Sequence, residues 1–166
     1  MSALGFLLLA VIIFMFGWNQ IGATDAKTTS LISGAAALLM GAAVVFQGAT
    51  VFGASATAPI GALILLWAIY GALVAGVGLW DTGGRALGLY SLFLSVVMIA
   101  FAIWFAAHAL PAGVIVTLVV AVPFFLQFLE FTVPYRAITV LTGYLLLIAG
   151  IISAAAGLAV YMSVLA

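Results

Sequence analysis

With three Lys and Arg, three Asp and Glu and one His among 166 residues, and 69% of the chain hydrophobic, this protein has too little charge for water, where a folded domain carries about 25% charged residues. Its zero net charge and lack of a basic patch leave nothing to hold nucleic acid, and the absence of cysteine excludes disulfides, thiolate metal sites and thiol catalysis. Whatever it does, it does inside a membrane.

A bilayer core about 30 Å thick needs roughly 20 apolar residues per helix. Helices are required because backbone polar groups in lipid must be satisfied internally. A barrel would alternate polar and apolar residues, and runs such as Ala62-Leu63-Ile64-Leu65-Leu66 do not. The first span, 4–23, lacks a basic start and a small-residue cleavage site, so it is expected to stay as a helix. A turn with Asp25 and Lys27 leads to span two, 31–53, where Ser33, Ala37 and Gly41 recur every four residues. After an uncharged turn at Ala54–Ala58, span three, 59–80, carries Trp67 and Tyr70 one helical turn apart. Asp81 and Arg85 mark the next turn; span four, 87–108, ends at His108 near Trp104, and Ala109–Ala112 is again uncharged. Span five, 113–133, runs into Glu130 and Arg136, and span six, 137–163, repeats small residues at Ala149, Ser153 and Gly157 and at Gly143, Gly150 and Gly157. Such stripes let helix backbones approach closely and read as packing seams.

Lys27, Arg85 and Arg136 all fall on alternate turns, while the other two turns hold no Lys or Arg. The positive-inside rule puts those three turns in the cytoplasm and both termini outside. The expected fold is a single all-α integral membrane domain, 1–166, of six transmembrane helices forming three out-in-out hairpins. Acid then base recurs at each inner turn, which fits either a threefold repeat or the plain division of six spans into three hairpins.

Enzyme chemistry finds no support. His108 ends span four on the outer side, about a bilayer thickness from the three carboxylates, so no His-carboxylate pair assembles within a protomer. No catalytic residue, metal site or cofactor is expected. An ion-coupled transporter needs an ionisable group deep in the membrane, and Glu130 is the one candidate. It is either an interfacial carboxylate paired with Arg136, Lys27 or Arg85, or an acceptor for amide N–H groups at the inner mouth of a path. Channel-type charge rings or carbonyl filters are not visible. A path for a small neutral solute or a structural membrane subunit remains.

Span five carries the relevant stripe. Gly113, Thr117, Val120, Phe124 and Gln127 follow helical spacing, with Phe128 and Phe131 extending it. Hydroxyl, aromatic and amide groups on one face suit a slot for a planar polar molecule, with Trp67 and Tyr70 as the opposing wall; ordinary core or lipid-facing aromatics would give the same spacing. Pro123 removes a backbone donor beside this slot.

Several segments resemble the urea and short-chain amide channel family, AmiS/UreI: Gly5-Phe6-Leu7-Leu8-Leu9 through Asp25-Ala26-Lys27-Thr28, Tyr70 with Gly78-Leu79, Tyr90-Ser91-Leu92-Phe93, and Phe128-Leu129-Glu130. The resemblance implies passive conduction of urea or small amides such as acetamide through a pore within each protomer, a homo-hexamer with bound membrane lipids, and a cytoplasmic amidase or urease. It places the lining at Val11, Met15, Leu66, Tyr70, Thr117, Val120 and Phe124, with Gln127 on the same stripe, Glu130 at the inner mouth, and Thr142 where some members carry a second carboxylate. Urea-specific members place tryptophans where this chain has Thr117, Val120 and Phe124, which implies a less selective slot. Acid-gated members have long outer loops rich in histidine and carboxylate; the outer turns here are short and uncharged, so a channel indifferent to acid is expected.

Overall fold

The computed structural model describes residues 2–51, 58–133 and 135–165. Most of the expected turn at Ala54–Ala58, and Pro134 after Glu130, lie outside the described residues. Six helices are present among them: α1 (Ser2–Gln20), α2 (Ala26–Val51), α3 (Ala58–Trp80), α4 (Arg85–Ala107), α5 (Pro111–Thr132) and α6 (Arg136–Leu165). All six are long and apolar enough to cross a membrane. Large apolar side chains such as Leu38, Phe46, Val96, Ile103, Ile151 and Leu158 cover the outside of the bundle, a surface that lipid solvates and water does not.

Helix α2 starts five residues earlier than its apolar run. The Asp25 carboxylate accepts the Thr28 amide at 2.8 Å and the Thr28 hydroxyl at 2.6 Å, satisfying an otherwise orphan first-turn donor. The polar segment Lys27-Thr28-Thr29-Ser30 is thereby wound into helix. The Thr28 hydroxyl, followed by the Thr28 amide, holds the Asp25 carboxyl below its ordinary value.

Each helix packs on the next in chain order, and α6 returns to α1, so the six form a closed ring. The tightest seams join α1 to α6, α2 to α3 and α4 to α5; the hairpins that run through the charged turns touch less closely. Small residues explain this pairing. The heptad glycines of α6 all face α1: Gly143 meets Gly17 and Gln20, Gly150 meets Ala10 and Phe14, and Gly157 meets Ala3 and Leu7. Along α2, Ser33 and Ala37 receive Gly71 of α3, and Ser30 receives Gly78. Gly41, on the same small-residue stripe, has open space beside it.

That contrast gives a matched test. A Cβ at position 17 would lie 2.7 Å from the Gly143 carbonyl oxygen, a backbone atom that cannot step aside. Gly17→Ala should cost about 1–3 kcal/mol through overpacking and lower the thermal midpoint in detergent. Gly41→Ala meets nothing within 4 Å and should be neutral or slightly stabilising, since Ala favours helix over Gly. Equal midpoints for the two variants would contradict the α1–α6 seam.

Candidate functional site

At 3.6 residues per turn, each residue advances about 100° around its helix, so the inward faces follow from the buried positions. Leu9, Ile13 and Phe16 point inward from α1; Leu63, Trp67, Tyr70 and Val74 from α3; Gly113, Thr117, Val120, Phe124 and Gln127 from α5; Thr142, Leu146, Ala149 and Ser153 from α6. These residues surround the middle of the bundle.

Cavities open at both ends of this interior. At the end holding His108, Phe6, Ile60, Phe105, Pro111, Gly113 and Val160 line a cavity of about 350 Å³. At the end holding the charged turns, Phe16, Gln20, Ser30, Val77, Glu130 and Thr139 line one of about 280 Å³. A larger hollow of about 530 Å³ adjoins it and shares Gln20, Glu130, Phe131 and Thr139, with Arg136 on its wall. Between the ends, Leu9, Ile13, Trp67, Tyr70, Val120 and Phe124 have no exposed surface, so this layer is closed to a molecule the size of water.

The layer has a defined chemistry. The Tyr70 and Phe124 rings lie 4.7 Å apart at 51°, a tilted contact favoured by aromatic quadrupoles. Tyr70 Oη donates to Gln127 Oε1 at 3.0 Å. Ser91 Oγ of α4 lies 3.0 Å from the same oxygen and 2.8 Å from the Leu87 carbonyl, and its single proton serves one of them at a time. Gln127 Nε2 and Trp67 Nε1 are buried without a partner. The hydroxyls of Thr117 and Thr142 donate to their own helices, at Gly113 (2.7 Å) and Ile138 (2.8 Å). Toward the charged end, Glu130 Oε2 accepts from Gln20 Nε2 at 2.6 Å, and the Thr139 hydroxyl also donates to this carboxylate; its hydrogen-bond partners are thus an amide from α1 and a hydroxyl from α6, not a basic side chain.

The structure brings Tyr70, Phe124 and Gln127 into direct contact, with Thr117, Val120 and Thr142 in the same interior and Glu130 in the cavity beyond. The two lining residues expected on α1, Val11 and Met15, lie off its inward face. Val11 is 40% exposed, and Met15 sits near it on the helix wheel, roughly opposite the Leu9–Ile13–Phe16 face. Leu9, Ile13 and Phe16 hold the inward place that Val11 and Met15 were expected to fill, because α1 must offer its glycine side to α6 and its Gly5–Ile12 side to α3. Leu66 is half-buried and packs against the core, and its backbone carbonyl accepts the Tyr90 hydroxyl of α4 at 2.9 Å. Reading the sequence also missed Gln20 and Ser91 as site residues. The signal for Gln20 was its place as a polar residue closing an apolar span; Ser91 stood in the Tyr90-Ser91-Leu92-Phe93 segment of the resemblance, but nothing tied it to a partner 36 residues away. His108 stacks on Trp104 at 4.2 Å, and its Nδ1 lies 2.8 Å from the Trp104 carbonyl.

A closed ring of membrane-length helices, hollow at both ends and closed between them by an aromatic and amide layer, is the build of a membrane transport protein. The chain belongs to the AmiS/UreI family of transporters, whose profile matches residues 1–163; it is a multi-pass membrane protein of a transporter family, not an enzyme family. Its fold is similar to the crystal structure of the urea channel from the human gastric pathogen Helicobacter pylori, with a TM-score of 0.74 over 93% of each chain and 19% sequence identity. No curated protein sequence matches the chain.

Proposed function

We propose that this protein is a passive channel for small neutral amides, acetamide and urea, across the bacterial plasma membrane. The carrying observation is the pair of cavities at opposite ends of one protomer, separated by a layer in which an aromatic pair is backed by an amide and two hydroxyls. The Tyr70–Phe124 contact parts to admit the solute, which sheds water there, stacks its flat face on a ring and exchanges lost hydration for hydrogen bonds. Binding is weak, as a conduit must release what it admits. The urea channel likeness and family membership support this substrate class.

The three basic turns lie in the cytoplasm and both termini outside, which puts the Glu130 cavity on the inner side. Protomers assemble as a homo-hexamer with lipid, and a cytoplasmic amidase or urease consumes the entering solute. The outer cavity is lined by apolar side chains, Gly and Ser163, and His108 is engaged with Trp104, so no ionisable side chain among the described residues lines this cavity.

Stopped-flow swelling of proteoliposomes tests the reading. Acetamide and urea should enter at least tenfold faster than in protein-free vesicles, with glycerol slow. The amide rate should stay flat as external pH moves from about 5 to 8 at fixed internal pH, the range in which a gating histidine would titrate. Steep acid activation would overturn the ungated reading alone. Rates equal to empty vesicles, from folded and inserted protein, would leave a structural subunit.

A further inference from the structure

Two amide side chains in this path share an unusual arrangement: one end is anchored by protein, and the other is buried without a partner. Gln127, fully buried, has its oxygen held by Tyr70 and Ser91, while Nε2 pairs with no described residue. Turning the amide over exchanges the two ends but still leaves one unpaired. Gln20 repeats the pattern with opposite polarity: its Nε2 is held by Glu130, and its Oε1 is buried without a partner. A buried polar group in a native structure is nearly always hydrogen-bonded, so these two amide ends, orphaned in the same path as Trp67 Nε1, need a reason.

Their spacing supplies one. Gln127 and Glu130, the anchor of Gln20, are three residues apart on α5, about 4.5 Å along the axis and neighbours on its surface. A planar amide carries its acceptor oxygen and its N–H donors on one carbon, and with hydrogen bonds of about 2.9 Å at each end it is long enough to bridge such a gap.

We propose that Gln127 and the Gln20–Glu130 pair form the two ends of one binding site for a primary amide group. The solute carbonyl accepts from the free end of Gln127, and its NH₂ donates to Gln20 Oε1 and the adjoining Glu130 carboxylate. The Tyr70–Phe124 pair borders the Gln127 end and offers ring faces to the flat solute. Urea and acetamide present both groups in one plane. A polyol has no carbonyl to meet Gln127 and no rigid plane to stack. The proposal rests on the amide-channel reading and assigns its selectivity to the two glutamines.

Methionine matches glutamine in length and lack of branching but offers no hydrogen-bond donor. Gln127→Met and Gln20→Met are each reconstituted, and acetamide entry and osmotic water permeability are measured on the same vesicles. Each variant should lower the acetamide-to-water permeability ratio at least fivefold. An unchanged ratio in folded Gln127→Met or Gln20→Met protein overturns the site while leaving the channel reading intact. If Gln127→Met does not fold, the Gln20 position, only partly buried, decides. Wild-type protein no faster than empty vesicles would remove the channel reading and this site with it.

Discussion

Phe124→Ala should raise water and amide permeability together by at least tenfold and pull the amide-over-glycerol ratio down toward one. The ring closes the layer from the α5 side, fully buried and 4.7 Å from Tyr70. Removing it leaves a void bordered by the Tyr70 ring and close to the Gln127 amide, and a void with polar partners takes up water where a purely apolar one stays dry. A hydrated gap no longer makes the solute give up its shell, so the penalty that excludes a polyol disappears. The substitution also removes packing, and a buried Phe→Ala costs about 3–5 kcal/mol in soluble cores, so thermal unfolding must be followed beside flux. Phe124→Leu is the control: it keeps apolar bulk and should retain most of the selectivity. An unchanged flux ratio in folded Phe124→Ala protein would place the path elsewhere.

The order of elements was legible because charge is rare. Six apolar runs punctuated by Asp25 and Lys27, Asp81 and Arg85, and Glu130 and Arg136 leave a hydrophobic chain few ways to fold, and the glycine heptad of α6 announced a close seam that proved to be with α1. Which helix α6 would meet was not legible, since a small-residue stripe names no partner. The site was legible where it is polar. Gln127 and Tyr70 stood out as hydrogen-bonding side chains within apolar spans, and they meet at 3.0 Å. It was illegible where it is apolar. On α1, lipid side, seam side and path side are all hydrophobic, so nothing in composition separates Val11 from Ile13. In water, the exposed face would be polar and would have fixed the rotation of the helix; in lipid that contrast vanishes. The start of α2 was missed for a local reason, since a carboxylate cap can hold a polar segment in helix that hydropathy alone assigns to a turn.

Glu130→Gln should lower amide flux about three- to tenfold in a protein of normal assembly and thermal stability. The neutral amide can still accept from Gln20 Nε2 through its own oxygen, the contact now made at 2.6 Å, so the link between α1 and α5 survives. What is lost is the ability to ionise, and a hydrogen bond to an ionised acceptor is roughly twice as strong as a neutral one. A solute leaving the closed layer would meet a weaker acceptor for its N–H groups, and about 1 kcal/mol of lost compensation is about fivefold in rate. Glu130→Leu removes the acceptor altogether and strands Gln20 with both ends of its amide unpaired. It should therefore cost both stability and flux, with flux falling beyond the Gln variant. The pair of variants separates two roles of the carboxylate. A Glu130→Gln protein that fails to assemble would mean that its charge is needed for an ion pair across the inner turns. One that assembles and conducts at the wild-type rate would mean that Glu130 only anchors Gln20 and never meets the solute.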